Sequence, residues 1–119
     1  MTGIQLPLET VVGKGLCFSH FSCIVINSSA IIGDNCTIFQ GVTVGSKRGP
    51  KGGVPRIGNN VVLASGAKLI GRISIGDNVM VGANATVVTD IPNNAVAVGC
   101  PAKVISFHGK ENTQLYYTN

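Results

Sequence analysis

The side chains with the most distinctive chemistry in this sequence are two histidines and four cysteines. The histidines are His20 and His108. Imidazole changes its charge near neutral pH, so a well-placed histidine can move protons. The cysteines, which lack the paired CxxC spacing of a zinc or redox site, are Cys17, Cys23, Cys36 and Cys100. We expect reduced thiols and no metal site, because two histidines at opposite ends of the chain do not supply a zinc ligand set.

The charge balance is mildly basic, with nine Lys and Arg against five Asp and Glu and a net charge of +4. Three of the basic residues, Lys47, Arg48 and Lys51, lie in one Gly-rich segment. No basic stripe alternates with aromatic residues, which disfavours nucleic acid, whereas a small polyanion such as a nucleotide or coenzyme A suits this field. No apolar run approaches the roughly 18 residues that span a bilayer, and residues 1–7 show no signal-peptide pattern. We therefore expect a cytoplasmic protein that binds neither membrane nor nucleic acid.

The elements that must position these side chains follow a six-residue repeat. A large apolar residue, here called the anchor, recurs at Val12, Phe18, Ile26, Ile32, Ile38, Val44, Ile57, Leu63, Leu69, Ile75, Val81 and Val87. A second apolar residue stands two positions before most anchors, so both side chains of a short strand point inward. Gly or another small residue often follows the anchor, which suits a corner where a Cβ would clash or φ is positive. Three such units make one triangular coil, and the sequence predicts an all-β, parallel β-helix.

Two breaks interrupt the repeat. Phe18 and Ile26 are two positions further apart than the repeat allows, and this insertion contains His20. Val44 and Ile57 are separated by a seven-residue excess, which forms a loop at 46–54. Repeat proteins often place functional excursions where a coil bulges outward, so we expect the chemistry at these breaks. The repeat decays after residue 88; we expect four to five coils over 1–105 and a polar C-terminal tail at 106–119, as a short helix, an extended arm or a disordered segment.

Several longer stretches carry a family resemblance. They include Val12-Gly-Lys-Gly-Leu16, Ile32-Gly-Asp-Asn-Cys-Thr-Ile-Phe-Gln-Gly-Val-Thr-Val-Gly45, Val54-Pro-Arg-Ile-Gly58, Gly66-Ala-Lys-Leu-Ile-Gly71 and Gly99-Cys-Pro-Ala-Lys-Val104. With these residues the chain resembles the hexapeptide-repeat acyltransferases, whose fold is a left-handed parallel β-helix, and most resembles serine O-acetyltransferase. The resemblance covers about residues 5–105. The N-terminal helical region of the serine enzymes has no counterpart in this sequence, so we expect a short form.

The resemblance also implies a mechanism and a set of site residues. His20 matches the histidine that acts as general base, taking the proton of an acceptor hydroxyl as that oxygen attacks the thioester of acetyl-CoA. Acetyl-CoA is then a co-substrate rather than a tightly bound cofactor, and it lies in the groove between neighbouring chains of a homotrimer. The positions matched to coenzyme binding are Gly45, Ser46, Ser65, Ala83 and Lys103. Lys103 is matched to the coenzyme phosphates.

Four positions depart from the serine enzymes. Their second active-site histidine aligns with Val54 and the basic residue before it with Gly53, while two acidic positions align with Ser19 and Gln5. These departures concern recognition of serine more than binding of the coenzyme. Three functions therefore stay open: a serine O-acetyltransferase that supplies cysteine synthesis, a sugar or polysaccharide-precursor acetyltransferase, and a non-catalytic trimeric β-helix scaffold. We expect the first, and a retained His20 and long loop argue against the third.

Overall fold

The computed structural model describes residues 4–5, 11–15, 17–18, 24–27, 29–50 and 52–117. Short strands of two to four residues dominate this part of the chain, because β-branched residues favour extended backbone. The strands are β1 (Ile4–Gln5), β2 (Val11–Val12), β3 (Cys17–Phe18), β4 (Ile24–Ile26), β5 (Ile31–Ile32), β6 (Thr37–Ile38), β7 (Thr43–Gly45), β8 (Arg56–Ile57), β9 (Val62–Leu63), β10 (Lys68–Ile70), β11 (Ser74–Ile75), β12 (Met80–Val81), β13 (Thr86–Val87), β14 (Val96–Val98) and β15 (Lys103–Ser106). One helix follows them, α1 (Gly109–Tyr117).

The strands form three parallel sheets wound around a common core. Sheet A contains β1, β4, β7, β10 and β13; sheet B contains β2, β5, β8 and β11; sheet C contains β3, β6, β9, β12, β14 and β15. Each strand from β4 to β13 pairs with the strand three places earlier, so the chain visits the sheets in the order A, B, C in every coil. Ile91 continues sheet B through a parallel bridge to Ile75. The described strands therefore form a parallel β-helix of five coils.

The strand register shows how the length of each coil changes where the repeat breaks. In a regular coil the partners are three six-residue units apart, as in the pairing of Ile26 with Val44 and of Leu69 with Val87. The first coil is two positions longer, since β1 and β4 pair Ile4 with Ile24. The coil between β7 and β10 is seven positions longer, since Val44 pairs with Leu69. These registers confirm the two-residue and seven-residue insertions read from the sequence.

The last coil is shorter than the regular ones. Strands β12 and β14 pair Val81 with Ala97, which is two positions closer in sequence than three full units. This deletion shifts the apolar positions out of the six-residue pattern. The repeat therefore seemed to decay in the sequence, although the coil continues in the structure.

The core lies inside the coil and consists of the anchors and the residues two positions before them. Val42 and Val44, Val61 and Leu63, and their counterparts in other coils are almost completely buried. Burying a side chain such as Leu63 contributes about 1.5–3 kcal/mol. Because each coil covers its neighbour's open end, these contributions depend on the whole stack.

The corners carry two kinds of special backbone position. A glycine directly after an anchor has no room for a side chain; a Cβ built on Gly33 would lie 2.5 Å from the carbonyl oxygen of Gly58 in the next coil. Asparagines with positive φ stand three residues after the anchor instead, at Asn35, Asn60, Asn78, Asn84 and Asn94. Asparagine tolerates this conformation better than most residues. The expected steric crowding beside the anchor is therefore present, but these positive φ values are two residues further along than expected.

Side-chain oxygens join successive coils at the corner between sheets B and C. Asp34 Oδ1 accepts a hydrogen bond from the backbone N–H of Lys14, and Asn59 Oδ1 accepts one from Asp34, each at 2.7 Å. Asp77 accepts from Asn59 and Asn93 accepts from Asp77 with the same length. Each bond satisfies a backbone donor that the corner leaves without a strand partner.

The C-terminal part turns back onto the outside of the coil. Strand β15 runs antiparallel to β14, and α1 then packs against β12 with Thr113 fully buried. The backbone N–H of Gly109 donates to the carbonyl of Asn94 at 2.9 Å. Of the forms left open for 106–119, the structure shows a short helix. The described residues contain no helix long and apolar enough to cross a membrane.

Candidate functional site

The seven-residue insertion forms a small hairpin that projects from the coil between β7 and β8. Lys47 and Gly53 pair as antiparallel neighbours, each donating its backbone N–H to the other's carbonyl at 3.0 Å. Gly52 N–H donates to the carbonyl of Gly49 at 2.9 Å and closes the tip. The side chains of Lys47 and Arg48 are exposed. The predicted loop excursion at 46–54 is thus an ordered, basic hairpin.

The base of the hairpin rests on the corner of the next coil. Gly71 N–H donates to the carbonyl of Gly45 at 3.0 Å. A Cβ on Gly71 would lie 3.2 Å from Lys47 Cβ, and one on Gly53 would lie 2.9 Å from Arg72 Cβ and 3.1 Å from its Cγ. The stem of Arg72 therefore lies directly across the backbone of Gly53, which only glycine permits without a shift.

A surface groove of about 320 Å³ opens beside the hairpin base. Its lining residues are Val54, Arg56, Arg72, Ile73, Ser74 and Asp90. Asp90 Oδ1 accepts the backbone N–H of Ser74 at 2.8 Å, which fixes the carboxylate against sheet B. The two arginines and Asp90 are exposed. The groove therefore presents both charges side by side.

Sequence reasoning did not find Arg56, Arg72 and Asp90. They come from three successive coils, and none stands in a break of the repeat. Only the strand register brings them together: Arg56 pairs with Ser74 across β8 and β11. A signal was present in that register of three repeat units, since it predicts which outward residues of one coil lie next to those of another.

The residues matched to coenzyme binding divide between the two edges of sheet A. Gly45 ends β7 and Ser46 follows it, where sheet A turns into sheet B. Ser65 and Ala83 lie in the turns that lead from sheet C into sheet A on neighbouring coils, and Asn84 N–H donates to the carbonyl of Ser65 at 2.8 Å. The structure brings Ser65 and Ala83 together along one corner and places Gly45 and Ser46 at the opposite edge.

Lys103 lies near the corner that holds Ser65 and Ala83. It begins β15 and pairs with Val98 at the end of β14. A Cβ on Gly82, the residue before Ala83, would lie 2.7 Å from Val98 Cγ1, so these backbones are in close contact. The side chain of Lys103 is exposed and accessible to an anion.

The two histidines differ in what the structure describes. His20 lies outside the described residues, in the segment of the chain between β3 and β4; Ser19 also lies outside them. His108 is exposed and its Nδ1 lies 2.9 Å from Glu111 Oε2, one turn later at the start of α1. His108 thus belongs to the helix on the outside of sheet C, away from the hairpin.

The cysteines with described side chains offer no reactive thiol in the core. Cys36 is buried, and its Sγ donates to the carbonyl oxygen of Gly58 at 3.2 Å. Burial, with smaller effects from the charges of Asp34 and Asp77, raises the pKa of the Cys36 thiol to about 11. The thiolate is the nucleophile and metal ligand, so Cys36 is a core residue. In the part of the chain that the structure describes, no three His, Cys, Asp or Glu side chains form a group that could hold a metal ion.

Comparisons with known proteins agree with this architecture. The family model "Bacterial transferase hexapeptide (six repeats)" matches residues 55–89. The serine acetyltransferase of Helicobacter pylori strain J99 is 43% identical over 107 residues, which cover 89% of this chain and 63% of the relative. That of Synechococcus elongatus is 41% identical over 107 residues, covering 88% and 43%. The chain spans about half the length of the relatives it matches.

Solved structures give the same result. A serine acetyltransferase in complex with CoA superposes with a TM-score of 0.78 at 31% identity, over 86% of this chain and 42% of that one. Soybean serine acetyltransferase complexed with serine gives a TM-score of 0.80 at 36% identity, over 87% and 43%. These matches confirm the left-handed parallel β-helix expected from the sequence. The chain belongs to the hexapeptide-repeat acyltransferases, and its relatives among them are serine acetyltransferases.

Proposed function

We propose that this chain forms the β-helix of an acetyl-CoA-dependent serine O-acetyltransferase. The enzyme transfers the acetyl group of acetyl-CoA to the hydroxyl of L-serine, a step that supplies cysteine synthesis. The observation that carries the proposal is the identity of 41–43% to serine acetyltransferases over nearly nine tenths of the chain. Structural matches to relatives in complex with CoA and with serine support both substrates. The cytoplasmic location stays a prediction.

The proposed chemistry is a single acyl transfer with His20 as general base. His20 takes the proton from the serine hydroxyl while that oxygen forms a bond to the thioester carbonyl carbon. Backbone N–H groups near the reacting carbon stabilise the oxyanion that develops. The C–S bond then breaks, and the proton held by the imidazolium passes to the leaving sulfur. The connection between β3 and β4, which carries His20, corresponds coil by coil to the turns that hold Ser65 and Ala83.

The proposed coenzyme groove lies between neighbouring chains of a homotrimer. One chain contributes the corner with Ser65, Ala83 and Lys103, and the next contributes the edge with Gly45 and Ser46. Small residues at these points leave room for an extended pantetheine, and an exposed lysine suits a phosphate. The separation of the two groups by the width of sheet A in a single chain supports a site completed by a second copy. The packing of α1 on sheet C leaves sheets A and B for that contact.

The test is thiol release from acetyl-CoA by the purified protein, with L-serine and then simple sugars as acceptors. We expect release with L-serine, lowered about 10²- to 10⁴-fold in His20→Ala, the usual contribution of a general base. His108→Ala is the matched control, because this exposed histidine contacts only the surface of α1 and should leave the rate unchanged. Circular dichroism of both variants checks that the coil is intact.

The other outcomes separate the remaining functions. Release with sugars alone keeps the acyl transfer and moves the acceptor to a saccharide, for which the loss of histidine at Val54 would be the physical reason. No release and no binding of the coenzyme favours the scaffold. An unchanged rate in His20→Ala removes His20 from the mechanism.

A further inference from the structure

The groove beside the hairpin carries charges that the acyl transfer described above does not use. Arg56 projects from the outer face of β8, and Arg72 follows the corner glycine of the next coil. Asp90 lies on the coil after that, with one carboxylate oxygen bound to the backbone of Ser74. Among the described residues, neither arginine makes an ion pair. Two free guanidinium groups and a fixed carboxylate therefore share one groove with the apolar side chains that line it.

The position of Arg72 is set by the hairpin. Its Cβ and Cγ lie where a side chain at position 53 would have to go, at 2.9 and 3.1 Å from the Cβ that glycine lacks. The stem is therefore packed against the hairpin backbone, which limits the freedom of the guanidinium at its end. A guanidinium with a restrained stem loses less entropy when it binds a planar anion through two hydrogen bonds.

We propose that this groove binds the α-amino acid acceptor through its two charged groups, with Arg72 as the specificity-determining residue. Arg72 and Arg56 hold the carboxylate, and Asp90 holds the ammonium group. The proposal rests on the serine acetyl transfer proposed above and names the residues that recognise its acceptor. The groove volume of about 320 Å³ admits a small amino acid with its hydration.

The presence of Asp90 separates this ligand from a phosphate. A phosphate or diphosphate is repelled by a carboxylate at the same site, whereas a zwitterion needs one charge of each sign. A sugar acceptor carries neither charge and gives the two arginines no partner. The groove also lies at the edge of sheet A that holds Gly45, opposite the corner of Ser65, so its ligand faces a neighbouring chain in the proposed trimer.

The experiment measures KM for L-serine and for acetyl-CoA in Arg72→Gln and Asp90→Asn. Asn retains the oxygen that accepts from Ser74, so Asp90→Asn removes charge and keeps that hydrogen bond. We expect KM for L-serine to rise about 10- to 100-fold in each variant, as for a lost charge-assisted hydrogen bond, with KM for acetyl-CoA unchanged. Lys14→Gln, an exposed lysine at another corner, is the control for loss of one positive charge.

Two acceptor analogues make the assignment specific to each charge. 3-Hydroxypropanoate has the carboxylate without the ammonium group, and ethanolamine has the ammonium group without the carboxylate. Saturation-transfer NMR on the whole protein reads their binding without any turnover. We expect Arg72→Gln to weaken 3-hydroxypropanoate alone, and Asp90→Asn to weaken ethanolamine alone.

The results distinguish this proposal from the proposed function. If the wild-type protein acetylates L-serine and Arg72→Gln changes neither KM, the groove is not the acceptor site and the enzyme assignment stands. If L-serine binds in an Arg72-dependent way without acetyl transfer, the groove assignment stands and the enzyme assignment fails. A rise in KM for acetyl-CoA alone overturns the zwitterion site and makes the groove a phosphate site.

Discussion

The thiol of Cys36 makes folding stability depend on alkaline pH. Its pKa is raised from 9.0 to about 11 by burial in the coil. Well below pH 9 the thiol is protonated in both the folded and the unfolded chain, so its contribution is fully present. Between pH 9 and 11 the unfolded chain releases this proton and the folded chain keeps it, which favours unfolding.

We therefore expect the free energy of unfolding to fall by about 2–3 kcal/mol from this group between pH 9 and 11. Urea unfolding at closely spaced pH values measures it, with Cys36→Ser as the variant that lacks the titrating thiol and can still donate to Gly58. An equal slope in both proteins over this interval would refute the assignment. The exposed Cys100 should react with a thiol reagent in the folded protein, while Cys36 should not.

At the scale of elements, α1 is held to the coil through its first residue. A Cβ on Gly109 would lie 2.8 Å from the carbonyl oxygen of Ala95 and closer still to that of Asn78. Backbone at these positions cannot move aside cheaply, so a larger residue must lift the start of the helix. We expect Gly109→Val to destabilise the protein by about 1–3 kcal/mol, the usual cost of overpacking.

Thermal unfolding measures this change, with Lys110→Ala as control, since Lys110 is the next residue of α1 and is exposed. Limited proteolysis should cut after residue 107 sooner in Gly109→Val than in the control. Equal melting temperatures and equal cleavage rates would mean that the helix start does not bear on the coil.

The elements also show which features were predictable. Leu63 and Val81 could be read as inward residues because strand alternation and the six-residue unit act over a few neighbours in sequence. The hairpin's position was predictable too, since an insertion changes the spacing of anchors. The contact of Arg72 with Gly53 was not, because it joins two coils through a loop whose path no local pattern specifies. α1 has little apolar periodicity in GKENTQLYY, so its packing on β12 had no sequence signal, and the coil through Ile91 was hidden by a two-residue deletion.

At the scale of the whole molecule, the proposed site is divided between the two edges of sheet A. The segment with His20 connects sheet C to sheet A, whereas Ser46 lies where sheet A leads to sheet B. If each catalytic site joins the first edge of one chain to the second edge of its neighbour, two different inactive variants can complement each other. His20→Ala removes the base, and Ser46→Trp fills the groove with a bulky side chain at an exposed position.

We expect each variant alone to be nearly inactive and a trimer assembled from equal amounts of both to recover activity. In a random mixture, about one quarter of the sites combine an intact His20 with an intact Ser46 from the next chain. Thiol release by particles that carry both affinity tags measures the recovery, and sedimentation checks that they contain three chains. Mixed particles without recovered activity would place both residues in one chain's site, and a monomer in sedimentation would overturn the shared site altogether.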